Sequence, residues 1–272
     1  MNAIFACVPN KNTWRASNFR FLIFGAICLV YTDIFSQIIL SGTAIIAART
    51  KDKIVVGADS KGIWDYNTTN PTSVCKIVQI GDSSFFTASN FVAVGGTNYN
   101  VYDIAQKSIG GAKSMVDIST DFEKTIKPLL QFRIQKIKQD CVFVYEREYK
   151  NRNVLNTFFF GIENGIPIIC SIKFITQENA LGDMSVITGQ KKCPPDCGNN
   201  ILWIAAGKTD ASTRFRRQNP DLWRHIGIEK TIELLINIDA TAEHDYVGLP
   251  IDIIHVSRDS IYWIQRKPQC KD

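Results

Sequence analysis

Three polar residues in the first part of the sequence have side chains that could together carry out nucleophilic catalysis. Thr43 offers a hydroxyl, Asp59 a carboxylate and Lys76 an ammonium group. A threonine hydroxyl is a weak nucleophile and needs a base to take its proton. If Thr43 is the first residue of a processed chain, its own α-amino group, with an ordinary pKa of roughly 8, can be that base. This chemistry requires the removal of residues 1–42.

Lys76 and Asp59 would supply the electrostatics of such a centre. A cation beside the threonine favours the alkoxide and disfavours protonation of the amine. A carboxylate and an ammonium that share a desolvated site are tolerated there because each pairs with the other. Taken singly, Asp59 is typical of a turn and Lys76 of a strand edge, so their combination with Thr43 is what indicates chemistry.

The first 42 residues differ from the rest of the chain. Residues 10–20 contain three basic residues and no acid, and residues 21–31 form an uncharged apolar run. A basic region followed by a short apolar run is the pattern of a secretory signal peptide. The run is shorter than the roughly 17–25 residues of a transmembrane helix. We expect residues 1–42 to be a signal peptide or pro-segment, with a retained membrane anchor as the alternative, and residues 43–272 to form one domain.

Composition excludes several classes of protein. The chain of 272 residues is 45% hydrophobic and 21% charged, which is ordinary for a globular domain. The net charge of +5 comes from scattered basic residues, with small groups at 133–138 and 214–217 that we interpret as a solvated surface. We therefore expect no nucleic-acid partner. Cys193 and Cys197 do not have the spacing of a zinc site and favour a local disulfide if the protein is exported, and no metal or cofactor motif is present.

Apolar runs and turn residues predict the elements that would position these side chains. Residues 43–48 and 53–58 predict a β-hairpin, and Asn164-Gly165 predicts another. Helical spacing covers residues 99–109, 122–144 and 221–242; Asp117 or Ser119 would cap the second helix, and Pro128 would kink or interrupt it. Strands and helices are grouped along the chain, which favours an α+β fold of two packed antiparallel sheets with helices outside, a four-layer αββα sandwich.

The segment 42–61 resembles the mature start of proteasome β subunits, which are N-terminal-nucleophile (Ntn) hydrolases; the likeness is to a divergent, bacterial-type member with an N-terminal leader. In that family a Gly-Thr bond is cut by the protein itself, and a hairpin and an Ala-Asp-Ser-Arg/Lys turn follow. Asp59 lies sixteen residues after Thr43, which is the family's spacing. Cys75-Lys76-Ile77 is similar to the family's lysine before an apolar strand, with one extra residue in the preceding loop. The likeness covers about residues 43–265 and is most specific in the first forty of them.

The resemblance implies further site residues. The backbone N–H that stabilises the oxyanion would come from about Asn90, where the family has glycine; Asn is the other residue best able to take a positive φ. The family's serine in a Gly-Ser-Gly loop matches residues 205–208, and Thr209 or Ser212 could replace it. The aspartate before the family's closing Gly-Gly corresponds to Asp245 after a one-residue shift, and otherwise His244 occupies that position.

Three hypotheses follow. The first is a threonine-type hydrolase, an endopeptidase made as a zymogen and acting on a peptide or protein, or an amidohydrolase of the same fold acting on a small amide. The second is a catalytically inactive proteasome-like subunit that binds or assembles with partners. The third is a membrane-anchored protein that keeps its leader. A homo-oligomer fits the first two. A signal peptide implies a secreted or periplasmic protein, and its absence a cytoplasmic or membrane-anchored one.

Overall fold

The computed structural model describes residues 38–41, 43–64, 67–95, 97–110, 114–197 and 201–270. The prediction of an α+β fold with two antiparallel sheets is confirmed. The leader predicted over residues 1–42 lies outside the described residues except for Ile38–Ser41, which form a strand, β1. No helix in the described ranges is long and apolar enough to span a membrane.

The larger sheet pairs its strands in the order β10-β9-β8-β7-β1-β4-β5, and β6 pairs with the first half of β7. Its strands besides β1 are β4 (Lys61–Trp64), β5 (Asn67–Ser73), β6 (Ile77–Gly81), β7 (Ser84–Val94), β8 (Asn153–Glu163), β9 (Ile166–Glu178) and β10 (Met184–Cys193). The predicted hairpin at Asn164-Gly165 joins β8 and β9, and Asn164 has φ 53° as its turn requires.

The smaller sheet has the order β11-β2-β3-β12-β13. Its strands are β2 (Ala44–Arg49), β3 (Lys53–Ala58), β11 (Leu202–Gly207), β12 (Asp252–Ser257) and β13 (Ile261–Gln265). The predicted hairpin of β2 and β3 is confirmed to within one residue. Both strands are almost continuously buried, because the sheet is covered on both faces.

The helices differ from the sequence prediction in three places. They are α1 (Val101–Lys107), α2 (Met115–Asp140), α3 (Val142–Val144), α4 (Asp210–Gln218), α5 (Leu222–Ile226) and α6 (Ile228–Ala242), and a π-helical turn covers Tyr145–Tyr149. Helix α2 continues through Pro128, and its cap is Ser114, so the predicted caps Asp117 and Ser119 were wrong. The helix predicted over 221–242 is divided at Gly227, which has φ 85°. Helix α4 was not predicted.

Three apolar clusters hold the layers together. One lies between the two sheets and includes Ile45, Val56, Phe85 and Phe160. A second packs α1 and α2 on the other face of the larger sheet. A third packs α6 on the other face of the smaller sheet. The order is therefore helices, larger sheet, smaller sheet, helices. Each fully buried Val, Ile or Phe side chain in these clusters contributes roughly 1.5–3 kcal/mol to the free energy of unfolding through the apolar area that it removes from water.

Two disulfides link pairs of cysteines that both lie within the described ranges. The expected bond between Cys193 and Cys197 is present. A bond between Cys75 and Cys270, which the sequence did not predict, spans 195 residues and joins the β5–β6 connection to the segment after β13. Cys75 precedes Lys76, so this link lies next to one of the predicted site residues.

Candidate active site

Thr43 lies directly before β2, and its side chain is completely buried. Its carbonyl oxygen accepts a hydrogen bond from the backbone N–H of Lys208 at 2.7 Å. Gly207, which precedes Lys208, has φ 84°, and a Cβ built on it would lie 1.6 Å from the Thr43 carbonyl oxygen. Glycine is required at this position both for its positive φ and for the close approach of the two chains.

Asp59 follows β3 and gathers four hydrogen-bond donors around one buried carboxylate. Oδ1 accepts from the N–H of Ala44 at 2.9 Å and from Lys76 Nζ at 2.7 Å. Oδ2 accepts from the N–H groups of Lys61 and Gly248, both at 3.0 Å. The carboxylate thus joins Lys76 to Ala44, the residue after Thr43.

Lys76 is 1% exposed and lies between β5 and β6. Burial lowers the pKa of its ammonium from 10.5 to about 8, and the charge and hydrogen bond of Asp59 oppose this effect. A buried ammonium needs a partner to be tolerated, and the 2.7 Å contact with Asp59 provides it. Lys76 is therefore a cation at neutral pH that can release its proton under mildly alkaline conditions.

A second buried ion pair accompanies the first. Lys267 Nζ lies 2.8 Å from Asp252 Oδ2, and both side chains are fully buried. The backbone N–H of Lys267 also donates to Asp252 Oδ1 at 2.9 Å. Sequence reasoning missed this pair, because Lys267 lies in a polar stretch after a strand and nothing local connects it to Asp252. The even number of cysteines was the one available signal that the C-terminus is held in place.

Asn90 has φ 77°, the positive value that we expected for a residue replacing glycine. It lies on β7 opposite Ser41 of β1 and Leu155 of β8. Its side-chain amide donates to the carbonyl of Asn153 at 3.3 Å, which holds the side chain towards β8.

The remaining predicted residues lie outside this cluster. The side chain of Asp245 is 61% exposed and contacts His244, whose ring nitrogen lies 3.5 Å from it. Thr209 is buried, and its carbonyl accepts from the Ser212 hydroxyl at 3.2 Å. The N–H of Ser212 donates to Asp239 Oδ1 at 2.9 Å, so this serine ties α4 to α6. The contacts of Thr209 and Ser212 hold the loop that touches Thr43, and do not reach Asp59.

Residues Ile38–Ser41 of β1 are extended. β1 lies between β7 and β4 and is antiparallel to both. Ser41 is opposite Asn90, and Leu40 is opposite Ile63. Strand β1 therefore joins β4 and β5 to the rest of the larger sheet.

Within the part of the chain that the structure describes, no group of three His, Cys, Asp or Glu side chains is arranged to hold a metal ion. The sequence matches no protein-family model, and no curated protein matches it. The arrangement of Thr43, Asp59 and Lys76 is therefore interpreted from its own geometry.

Proposed function

We propose that this chain is a threonine-type hydrolase of the Ntn kind, which becomes active when residues 1–42 are removed and the amine of Thr43 is freed. The observation that carries the proposal is the buried Asp59 carboxylate, which binds both the N–H of Ala44, next to Thr43, and the ammonium of Lys76. Burial strengthens every electrostatic interaction in the site, because little water is present to screen it.

The proposed chemistry divides the roles among these groups. The α-amine of Thr43 takes the proton of the Thr43 hydroxyl, and the hydroxyl oxygen attacks a carbonyl carbon. The cation of Lys76 favours the alkoxide and keeps the amine unprotonated. The amine then returns its proton to the leaving amine, and water later releases the acyl group. The N–H of Asn90 is the proposed oxyanion donor.

The strand β1 supports a peptide or protein as the substrate. It is the chain's own polypeptide, extended between β7 and β4 and ending just before Thr43. An extended peptide that adds to a sheet edge gains backbone hydrogen bonds without depending on its sequence. Removal of residues 1–42 would leave this place for another extended chain. A small amide would not use it, so a peptidase is favoured over an amidohydrolase.

The same strand bears on the leader. A pro-segment whose last residues pair with the mature domain is held in position for the cut between Gly42 and Thr43. We accordingly propose that residues 1–42 include a pro-segment, and that any signal peptide ends before β1.

The N-terminus of the purified protein tests the proposal. We expect a mature chain that starts at Thr43 and reacts covalently with a threonine-directed electrophile. The Thr43→Ala variant should retain residue 42 and fail to react, whereas Thr43→Ser, which keeps a hydroxyl, should still be processed. The Thr50→Ala variant, which alters a threonine in the β2–β3 turn, is the matched control. A folded protein that keeps Gly42 through full maturation would refute the proposal.

Inactivity is the second candidate, and two observations favour it. Residues 205–208 match the family's Gly-Ser-Gly loop, and among the described residues no hydroxyl of this loop contacts Asp59. Asp245, which corresponds to the family's aspartate, is exposed. A binding or assembly subunit would show no covalent labelling, and its partner binding would be the same in Thr43→Ala as in the wild type.

A further inference from the structure

The C-terminal segment Arg266–Cys270 holds the short stretch of chain that carries Lys76. It makes three hydrogen bonds and one disulfide to that stretch, on both sides of the lysine. Before the lysine, the Gln269 amide donates to Ser73 Oγ at 2.7 Å, Lys267 Nζ donates to the Val74 carbonyl at 2.6 Å, and Cys270 is disulfide-bonded to Cys75. After it, the Arg266 guanidinium donates to the Ile77 carbonyl at 3.1 Å. Every one of these bonds is to a neighbour of Lys76 in the chain. Together they fix the direction of its backbone.

The same segment brings a second set of charges to Lys76. Lys267 pairs with Asp252 at 2.8 Å, and Arg266 approaches the same carboxylate at 4.0 Å. The charge of Asp252 raises the pKa of Lys76, and the charge of Lys267 lowers it. The two therefore oppose each other as long as the pair is intact.

The hydroxyl of Tyr102 on α1 also faces this lysine and donates to its backbone carbonyl at 3.4 Å. Asp59 contacts the ammonium directly. Neither Lys267 nor Asp252 takes its place, so both act on the lysine from a distance.

We propose that residues 266–270, together with Asp252, form a positioning clamp for Lys76: the disulfide and the carbonyl contacts fix its backbone, and the Asp252–Lys267 pair balances the charge around its ammonium. This proposal rests on the proposed function, since it gives the clamp a purpose at that site. Lys267 and Asp252 are positioning residues, because they act through Lys76.

The charge balance can be measured without any activity. Lysine side-chain carbons are followed by NMR as the pH is varied, and the Lys76 signal is assigned by its loss in Lys76→Met. We expect Lys267→Met to raise the midpoint for Lys76 by about one pH unit, because Asp252 is left uncompensated. Asp252→Asn should lower it by a similar amount. An unchanged midpoint in both variants would overturn the proposal.

A variant with one unpaired buried charge risks unfolding. The double variant Asp252→Asn/Lys267→Met leaves neither charge behind and keeps the experiment decisive. Its midpoint should fall between those of the two single variants, near that of the wild type. A midpoint equal to that of either single variant would contradict the balance that we propose.

The backbone part of the clamp is tested by covalent labelling of Thr43. We expect the Cys75→Ser/Cys270→Ser variant to label at least about tenfold more slowly, since a small displacement of a site residue costs a large factor in rate. The matched control, Cys193→Ser/Cys197→Ser, removes the other described disulfide and should label within twofold of the wild type. Equal rates in both variants would refute the clamp. If the wild type does not label at all, the proposed function fails, and the NMR titration still decides the charge balance.

Discussion

The buried pair of Asp59 and Lys76 makes a quantitative prediction that does not depend on catalysis. Breaking a buried ion pair by removing one partner costs about 3–5 kcal/mol of folding free energy. The two single variants should differ within that range, because the partner that each leaves behind has a different set of hydrogen bonds.

Lys76→Met leaves the Asp59 carboxylate with three N–H donors, at 2.9, 3.0 and 3.0 Å. Much of its charge remains satisfied, so we expect a loss of about 3 kcal/mol. Asp59→Asn is more damaging. Whichever way the amide is turned, its NH₂ group faces two donors: Ala44 N–H and Lys76 on one side, or the N–H groups of Lys61 and Gly248 on the other. It also leaves the ammonium without its anion, so we expect a loss of about 5 kcal/mol.

In the double variant Asp59→Asn/Lys76→Met, the amide can turn so that its NH₂ faces the Ala44 N–H alone. The total loss should therefore be about 5 kcal/mol, less than the sum of the single losses by about 3 kcal/mol of coupling. Urea unfolding followed by far-UV circular dichroism at pH 7 measures all four proteins. Lys124→Met, which removes an exposed partner of Asp121, is the control and should change nothing measurable. A coupling below about 0.5 kcal/mol, or a greater loss for Lys76→Met than for Asp59→Asn, would refute this account of the site.

Three further predictions follow from single residues. The pKa of Lys76 is about 8 in the folded protein, against an ordinary value of 10.5, so between these pH values the unfolded chain binds more protons than the folded one. The free energy of unfolding of the wild type should therefore rise from pH 8 to about 9.5. Urea unfolding across that range should show a smaller rise for Lys76→Met. Gly207→Ala should lower the melting temperature more than Gly189→Ala, because a Cβ at 207 would collide with the Thr43 carbonyl and one at 189 would meet no atom. Equal melting temperatures of the two variants in calorimetry would contradict this contact. Burial raises the pKa of Asp239 to about 6, and its Oδ2 has no hydrogen-bond partner among the described residues. Asp239→Asn should therefore stabilise the protein at pH 7 by about 1 kcal/mol, and this gain should disappear near pH 4, where the wild-type carboxyl is protonated. A variant less stable than the wild type at pH 7 would show that the charge is needed.

Local patterns were enough to predict the elements nearest the candidate site. The alternation of apolar runs with polar turns located β2 and β3, and the Asn-Gly turn located β8 and β9, because each hairpin depends on residues close in sequence. The positive φ of Asn90 was likewise expected from the type of residue. The resemblance implied a site of Thr43, Asp59 and Lys76, and the structure joins Asp59 to Lys76 and to Ala44.

The features that the sequence did not reveal depend on distant parts of the chain. Helix α4 is strongly polar and carries three arginines, and it is held by Asp239 of α6 and not by an apolar stripe. The Asp252–Lys267 pair and the Cys75–Cys270 bond join segments whose partners nothing local identifies. Strand β1 was assigned to a leader because its composition continues an apolar run, and its pairing with β7 and β4 could be seen only in the folded sheet.

The order in which the site's parts are synthesised has a consequence for the living cell. Gly248 supplies an N–H to Asp59, Lys208 binds the Thr43 carbonyl, and Cys270 closes on Cys75. All three lie far downstream, so a chain still emerging from the ribosome has Thr43 and Asp59 without these partners. Translation must pass Cys270 before all of these contacts can form, so this cluster assembles only after residues 43–270 have been made.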